Sequence, residues 1–331
     1  MATLKDVAKL ACVDISTVSR ALNNTSYVHP DTKARVYAAA KELGYHPNVM
    51  AQALRQGKRH TLGVIVPTLF LSVFSGMTSG IEQEARRKNY AILLSNSFDD
   101  PAVEKESLNR MRNGFIDALI IASTGRNSRL IQDIQASGIP VVQIIREQIP
   151  RMNSIVADYE ATAYNAVRYL HRLGARNIGF LGSNSRITPF RDRYQGYQKA
   201  LRELSLPELT VPSSFVEHTF EAGYRNAKEL LFQFPDLDAM IVSVDSQGLG
   251  VLRLLKEQHK KVPDEIRVIC LTGHMIGGLL ETTMTAMEIP SVEMGRAAAA
   301  MAIDEINAPA DQPPSPKRLL FPAELVERES T

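Results

Sequence analysis

The segment Ile15–Leu22, with the sequence ISTVSRAL, carries side chains that suit recognition of nucleic acid. Read as a short helix, it has an open face, and Ile15, Ser16, Thr17, Ser19 and Arg20 lie on or near that face. The N–H groups at the start of such a helix suit phosphate, and its Ser, Thr and Arg side chains can reach base edges in the major groove. An ordinary helical hairpin without a function is the alternative interpretation of these residues alone.

Three short helices are expected to position this face. Thr3 is the expected N-cap of the first, and Asp6 follows three residues later, as in a capping box. The apolar stripe of that helix consists of Leu4, Val7, Ala8 and Leu10. After a turn at 11–13, Asp14 can cap the second helix, which buries Val18, Ala21 and Leu22. Asp31 is the expected cap of the third, which carries Val36, Ala39, Ala40 and Leu43 and is closed by Gly44.

Roughly the first sixty residues strongly resemble the LacI/GalR family of bacterial repressors. The resemblance lies in the motifs DVA, TVSRALN and V..DT+.RV..AA.ELGY.PN..A..L, in this order. Two positions depart from the usual pattern. Cys12 stands where the family commonly has Gly, and Asp14 stands where it commonly has Ser. On this basis we expect Arg20, with Ser16 and Ile15, to read bases. The expected backbone and flanking contacts are Thr3, Leu4, Thr17, Ser19, Asn23, Tyr45 and Asn48.

The stretch Asn48–Gln56 is a short helix candidate between Pro47 and Gly57, too short to be stable alone. The resemblance implies a hinge helix that orders on operator DNA and pushes Leu54 into the minor groove, with Ala51 beside it. Unstacking a base step in this way is offset by a bend that lets both heads of a dimer engage. A plain linker is the alternative.

Charge is unevenly distributed along the chain. Residues 1–60 hold nine Lys/Arg and four acids, a balance of +5, so the remaining residues carry −3 of the total of +2. A basic head on a mildly acidic body indicates that only the head meets a polyanion. Cys12 and Cys270 form no disulfide or metal pattern, and we expect no cofactor and no metal. Without a membrane-length apolar run or signal peptide, the expected location is the cytoplasm of a prokaryote.

From Thr61 onward, apolar strands alternate with amphipathic helices, which predicts parallel sheets covered on both faces. The strand candidates are LGVIVP, YAILLSN, ALIIAS, PVVQII, SIVADY, NIGFLGS, AMIVSVD, RVICLT, TMTAMEI and RLLFPAELV. The body resembles the periplasmic-binding-protein-like core of the same family, with landmarks at 80–82, 174–179, 193–197 and 322–330. The expected class is α/β, with an all-α helix-turn-helix headpiece before a two-lobed core.

The resemblance also implies domain boundaries. The headpiece is expected at 1–47, the hinge and linker at 48–60, and the core at 61–331. Three crossings between the lobes are expected near Asp158, Ile289 and Lys317. Lobe 1 would then hold about 61–157 and 290–316, and lobe 2 about 158–289 and 317–331.

Ligands of open α/β sheets bind at the carboxyl ends of the strands, here in the cleft between the lobes. The candidate effector contacts are Phe70, Val73, Phe74, Ser123, Arg146, Asn184, Arg191, Arg193, Asp245 and Thr272. The two phenylalanines either stack on a sugar or belong to the core. Arg193 stands at the family's effector-binding arginine, although a surface salt bridge is the alternative.

Two departures from the family bear on the ligand. Val244 and Thr272 replace the Asn and the Asp that commonly grip sugar hydroxyls. Arginine forks match carboxylate and phosphate, so Arg146, Arg191 and Arg193 favour an acidic carbohydrate, either a sugar phosphate or a sugar acid. A neutral sugar is the alternative ligand, and Arg146 and Arg191 could instead pair with acids at the lobe edge.

We therefore expect a homodimeric transcriptional regulator, a repressor of a carbohydrate operon, that binds a near-palindromic operator and a small-molecule effector. No association with a membrane is expected. A solute-binding protein and a sugar-acting α/β enzyme are the alternatives. The sequence has no G-x-G-x-x-G, Walker A or G-x-S-x-G motif, so we expect no enzymatic activity.

Overall fold

The computed structural model describes residues 2–23, 26–45, 59–182, 187–211, 219–273, 275–309 and 315–331. The chain divides into two compact units, Met1–Arg59 and His60–Thr331. The described part of the small unit contains three helices: α1 (Leu4–Ala11), α2 (Ile15–Asn23) and α3 (Pro30–Glu42). Their buried core consists of Val7, Ala8, Ala11, Val18, Ala21, Val36, Ala39 and Ala40. The predicted all-α headpiece is confirmed.

The ends of the headpiece helices use local hydrogen bonds. The capping box at Thr3 is confirmed, because the Asp6 N–H donates to Thr3 Oγ1 (3.4 Å) and the Thr3 N–H donates to Asp6 Oδ2 (2.8 Å). After α1, Cys12 has φ +54°, and the Val13 N–H donates to the Ala8 carbonyl at 3.1 Å. Gly44 takes the same left-handed role after α3, with φ +59°. Both turns close their helices by satisfying the last carbonyls.

One headpiece prediction is wrong, and two apolar residues of the predicted helices are exposed. Asp31 does not cap α3, because the helix begins at Pro30 and its N-cap is His29, which makes no side-chain cap bond. Leu10 is 42% exposed, since Ala11 takes the inward position one turn after Val7. Leu43 is 37% exposed, because it is the C-cap residue at the end of α3.

Lobe 1 of the large unit is a parallel sheet of six strands in the order β11-β5-β4-β3-β1-β2. The strands are β1 (Thr61–Val66), β2 (Ala91–Asn96), β3 (Ala118–Ile121), β4 (Val141–Ile144), β5 (Asn153–Ala157) and β11 (Arg318–Phe321). The helices are α4 (Ser72–Arg87), α5 (Pro101–Arg112), α6 (Ser128–Ala136) and α11 (Ser291–Ile306). The strands alternate with these helices and are buried except at the edges, as two-sided burial requires.

Lobe 2 repeats the plan with the strand order β12-β10-β9-β8-β6-β7. The strands are β6 (Ile178–Leu181), β7 (Leu209–Thr210), β8 (Ala239–Val242), β9 (Arg267–Gly273), β10 (Thr285–Glu288) and β12 (Glu324–Val326). The helices are α7 (Tyr159–Arg172), α8 (Thr188–Leu204), α9 (Phe220–Gln233), α10 (Asp245–Glu257) and a 3-10 helix, Met275–Leu279. All pairings are parallel except that of β12 with β10. The predicted two-lobed α/β core is confirmed.

The final apolar segment corrects the predicted lobe boundary. The sequence RLLFPAELV was predicted as one strand after a crossing near Lys317. Instead it forms two strands, because Arg318–Phe321 pairs with β5 whereas Glu324–Val326 pairs with β10. Pro322 between them has no N–H to continue the ladder, so the third crossing lies at 322–323. β7, a two-residue edge strand, was not predicted.

None of the helices in the described ranges is both long and apolar enough to cross a membrane.

Candidate functional site

The exposed face of α2 in the headpiece is built by the capping and turn geometry of α1. Ile15, Ser16 and Arg20 are exposed, with Ile15 at 47%, and Thr17 is half-buried. Ser19 is buried beside Val18, and its hydroxyl accepts a hydrogen bond from the Asn23 amide at 3.2 Å. The prediction that Ser19 lies on or near the open face is therefore wrong. The arrangement presents one cation and a hydroxyl to a partner.

The flanking candidates divide into two groups. Thr3 is exposed, whereas Leu4 and Tyr45 are half-buried against the headpiece core and present only part of their surface. Asn23 is half-buried at the end of α2. The hinge candidates Asn48, Ala51 and Leu54, and the effector candidate Asn184, lie outside the described residues.

The second candidate site is the cleft between the lobes of the large unit. The starts of α4, α7 and α8 converge there with the segments that follow β4 and β8 and with the end of β9. The lining residues are Leu71, Val73, Phe74, Ile145, Arg146, Tyr159, Pro189, Phe190, Arg193, Val244 and Thr272. Five predicted effector contacts are among them. The cavity has a volume of about 30 Å³, room for about one or two water molecules, so a sugar would need the lobes to open.

Arg146 reaches the cleft from lobe 1 with its charge already paired. It is 2% exposed, and its Nη2 donates to Asp99 Oδ2 at 2.8 Å while its Nη1 donates to Asp99 Oδ1. The preceding Ile145 has φ +62°, and the Arg146 N–H donates to the Ile144 carbonyl at 2.5 Å. This is a γ-turn with a β-branched residue in the left-handed region, a strained conformation of the kind found at ligand sites.

Arg193 reaches the cleft from lobe 2 without such a partner. It is 3% exposed and forms no ion pair with the described residues, so the alternative of a surface salt bridge is wrong. Its guanidinium carbon lies 5.0 Å from the ring centroid of Tyr159, within the range of a cation–π interaction. Its Nε has no hydrogen-bond partner in the described part of the chain. Burial lowers the pKa of Arg193.

Tyr159 is a lining residue that the sequence analysis missed. It is 2% exposed, and its hydroxyl also donates to no described residue. Burial raises the pKa of Tyr159 to about 12. Asp158 caps α7 by accepting from the Ala161 N–H at 3.0 Å, which fixes the turn into the first crossing. The rule that sites lie after strand carboxyl ends would have pointed here, since Tyr159 follows β5 closely.

Four effector candidates do not line this cavity. Phe70 is 80% exposed, and the Arg191 side chain is half-exposed and pairs with its neighbour Asp192 at 2.7 Å. Asp245 is buried at the start of α10, where it accepts the Ser246 N–H at 2.8 Å. Ser123 is buried, and its hydroxyl donates to Glu104 Oε1 at 3.2 Å.

Glu104 explains why Ser123 is withdrawn from the cleft. This carboxylate is fully buried and also accepts from the Thr124 N–H (2.7 Å), Thr124 Oγ1 (2.9 Å) and Asn127 Nδ2 (2.9 Å). Four donors among the described residues satisfy the oxygens of this buried carboxyl group, as burial of a polar group requires. Glu104 therefore positions the loop after β3.

Known proteins resemble the chain along its whole length. The family described as bacterial regulatory proteins, lacI family, matches residues 3–48, and a periplasmic binding protein-like domain matches residues 167–331. Catabolite control protein A of Priestia megaterium is 30% identical over 301 residues, which cover 89% of this chain and 90% of the relative. The chain belongs to the LacI/GalR family.

Two further matches fit this member of the LacI/GalR family. A ribose operon repressor of Halalkalibacterium halodurans is 26% identical across 100% of this chain and 97% of the relative. The fold matches a Lac repressor bound to ONPG in the repressed state, with a TM-score of 0.88 and 23% identity over 100% of this chain and 99% of that one. This LacI/GalR-family protein is thus a sequence-specific DNA-binding transcriptional regulator, as the headpiece sequence predicted.

Proposed function

We propose that this regulator represses a carbohydrate operon and responds to an acidic carbohydrate, either a sugar acid or a sugar phosphate, bound in the interlobe cleft. The observation that carries the proposal is Arg193, a buried guanidinium with no ion pair to the described residues. An isolated buried charge is unfavourable, and an anionic ligand would compensate it through charge-assisted bonds. A neutral sugar is the alternative effector.

The departures at Val244 and Thr272 support an acidic effector. The Thr272 hydroxyl donates to the Ser243 carbonyl at 3.0 Å, so it can offer a ligand only its acceptor lone pairs. Val244 contributes an apolar surface. Neither residue presents the carboxylate that would grip sugar hydroxyls and repel an anion.

On the DNA side, we propose a homodimer that places two α2 helices on a near-palindromic operator. Arg20, Ser16 and Ile15 read bases, while Leu54 with Ala51 and Asn48 acts at the hinge. One headpiece offers few base contacts, and each good bidentate pair contributes only about 1–3 kcal/mol of discrimination, so two heads are needed. Because it acts at operator DNA, we expect the protein in the cytoplasm and expect no enzymatic turnover.

A panel of neutral, oxidised and phosphorylated sugars tests the effector class. A ligand at a hundred times its Kd should stabilise the protein by about 2.7 kcal/mol, visible as a higher Tm, and should change operator affinity in fluorescence anisotropy. Arg193→Ala should abolish both responses. The proposal fails if only neutral sugars act, or if Arg193→Ala leaves the best acidic response intact.

Two simple assays test the remaining parts. Sedimentation at micromolar concentration should show a dimer, and a monomer with and without operator would contradict the two-headed arrangement. A turnover assay on the best ligand should leave it unchanged, whereas conversion of that ligand would support the enzyme alternative.

A further inference from the structure

We propose that Tyr159 is a specificity-determining contact that joins Arg193 in binding a single carboxylate, so that the effector is a sugar acid rather than a sugar phosphate. This inference rests on the proposed acidic effector and narrows it. It follows from two features of the cleft: the unused donors on two buried side chains, and the balance of charge around them.

The first feature is the pair of unused donors. The Tyr159 hydroxyl and Arg193 Nε both belong to residues that line the cleft, and neither donates a hydrogen bond to a described residue. Buried polar groups in proteins are nearly always paired, so two unused donors in the same cavity indicate a ligand that supplies the partner.

Tyr197 shows what a structural tyrosine looks like in the same lobe. It is fully buried on α8, and its hydroxyl donates to the carbonyl of Ile178 (2.8 Å) while accepting the N–H of Leu209 (3.1 Å). Tyr159 is almost as deeply buried, but its hydroxyl donates to no described residue. The difference assigns Tyr197 to the core and Tyr159 to the cleft.

The second feature is charge. Asp99 neutralises Arg146 through both terminal nitrogens, and Asp192 pairs with Arg191. Asp245 does not line the cavity and accepts the Ser246 N–H at the start of α10. Arg193 is thus the one cation lining the cleft that no described carboxylate pairs. A monoanion matches that surplus, whereas a phosphate ester carries about −1.5 to −2 at neutral pH and would be under-compensated.

The donor chemistry agrees with a carboxylate. Burial keeps the Tyr159 phenol protonated at neutral pH, and the Arg193 guanidinium is charged, so both groups offer hydrogens. A carboxylate presents two oxygens that only accept, one for each donor. The stacking of Arg193 on the Tyr159 ring holds the two donors on one side of the cleft.

The test is calorimetric titration and thermal shift with D-glucuronate, D-gluconate, glucose 6-phosphate and glucose. Wild-type protein should bind an acid of this panel more tightly than the phosphate or the neutral sugar. Tyr159→Phe should weaken acid binding about ten- to a hundredfold, the effect of one hydrogen bond to a charged group. Without ligand, its Tm should be unchanged or higher, because the deleted hydroxyl donates to no described residue. Tyr197→Phe is the matched control, with a lower Tm and an unchanged Kd.

The outcomes separate this inference from the proposed function. Equal or tighter binding of the phosphate, still dependent on Arg193, overturns the carboxylate assignment and leaves the acidic effector in place. Binding of glucose alone overturns both. Unchanged acid affinity in Tyr159→Phe, or no response to either acid, overturns the role of Tyr159. Asp99→Asn is a second probe, since releasing Arg146 should move the preference toward glucose 6-phosphate.

Discussion

The headpiece and the core present their candidate arginines in opposite ways. Arg20 is exposed on α2, where water solvates its charge and a DNA partner can replace that water. Arg193 is 3% exposed in the cleft, where it contacts the Tyr159 ring but no described carboxylate pairs with its charge. An exposed binding arginine contributes nothing to folding, whereas a buried one opposes folding until its ligand arrives.

Within the core the same comparison separates two buried arginines. Arg146 and Arg193 face the same cavity from opposite lobes, but only Arg146 has a carboxylate among the described residues, from Asp99. Removing one partner of a buried ion pair leaves the other charge uncompensated and lowers stability. Removing a buried charge that has no carboxylate partner takes away an unfavourable burial and raises stability. The two sites should therefore respond to substitution with opposite signs.

The largest expected effect is at Asp99. Asp99→Ala should lower the free energy of unfolding by about 2–3 kcal/mol, less than the ~3–5 kcal/mol of a fully buried pair because the Asp99 side chain is 41% exposed to solvent. Urea denaturation measures the change. Glu106→Ala, which removes the exposed Arg110–Glu106 pair of α5, is the control and should stay within about 0.5 kcal/mol. If Asp99→Ala lost no more unfolding free energy than Glu106→Ala, the ion pair of Arg146 with Asp99 would contribute nothing to stability.

Arg20→Ala should act on binding and leave folding alone. Specific operator affinity should fall by about 1–3 kcal/mol, while much of the salt-dependent binding to non-specific DNA remains. The Tm should stay unchanged, because the side chain is exposed. Anisotropy titrations on both DNAs measure the difference. An equal fall on both would move Arg20 from base readout to phosphate contact.

Arg193→Met should leave the free energy of unfolding unchanged or raise it by up to about 1 kcal/mol. The substitution replaces an uncompensated buried charge with an apolar side chain. The same variant should lose the thermal response to acidic sugars. Arg146→Met is the matched control on the other lobe and should destabilise. Loss of stability in Arg193→Met, similar to that in Arg146→Met, would mean that Arg193 has a structural partner.

The sequence predicted local features well because they depend on neighbouring residues. The capping box of Thr3 and Asp6, the start of α2 and most strand positions follow from propensity and periodicity. The errors in these elements are also local. Pro30 starts α3 where Asp31 was predicted to cap it, and Pro322 divides one apolar run between two sheets.

The cleft was predicted only in part because its chemistry depends on long-range partners. Asp99 is 47 residues from Arg146, and Glu104 withdraws Ser123 from 19 residues away. Periodicity cannot show which carboxylate reaches which donor. Tyr159 was missed for the same reason, since an unused donor becomes visible only when its surroundings are known.

The smallest expected effect is at the turn of the headpiece, where Cys12 stands at a position commonly occupied by Gly. Its φ of +54° is unfavourable for a side-chain-bearing residue by about 1–2 kcal/mol, and glycine loses about 0.4–1 kcal/mol through its freer unfolded chain. Cys12→Gly should therefore stabilise the headpiece by about 0.5–1 kcal/mol.

Hydrogen exchange at the Val18 amide, which donates to the Asp14 carbonyl at 3.1 Å, measures this change inside the headpiece. Gly44→Ala is the opposite control, because it adds a side chain at a position with positive φ instead of removing one. Gly44 has φ +59°, and a methyl group at this position would meet no described atom within 4 Å, so the substitution should lower protection by about 1 kcal/mol through backbone strain alone. Because both changes act on folding and leave Arg20 in place, operator affinity per folded molecule should stay constant. A change in that affinity with Cys12→Gly would show that the turn geometry, besides the α2 side chains, sets DNA recognition.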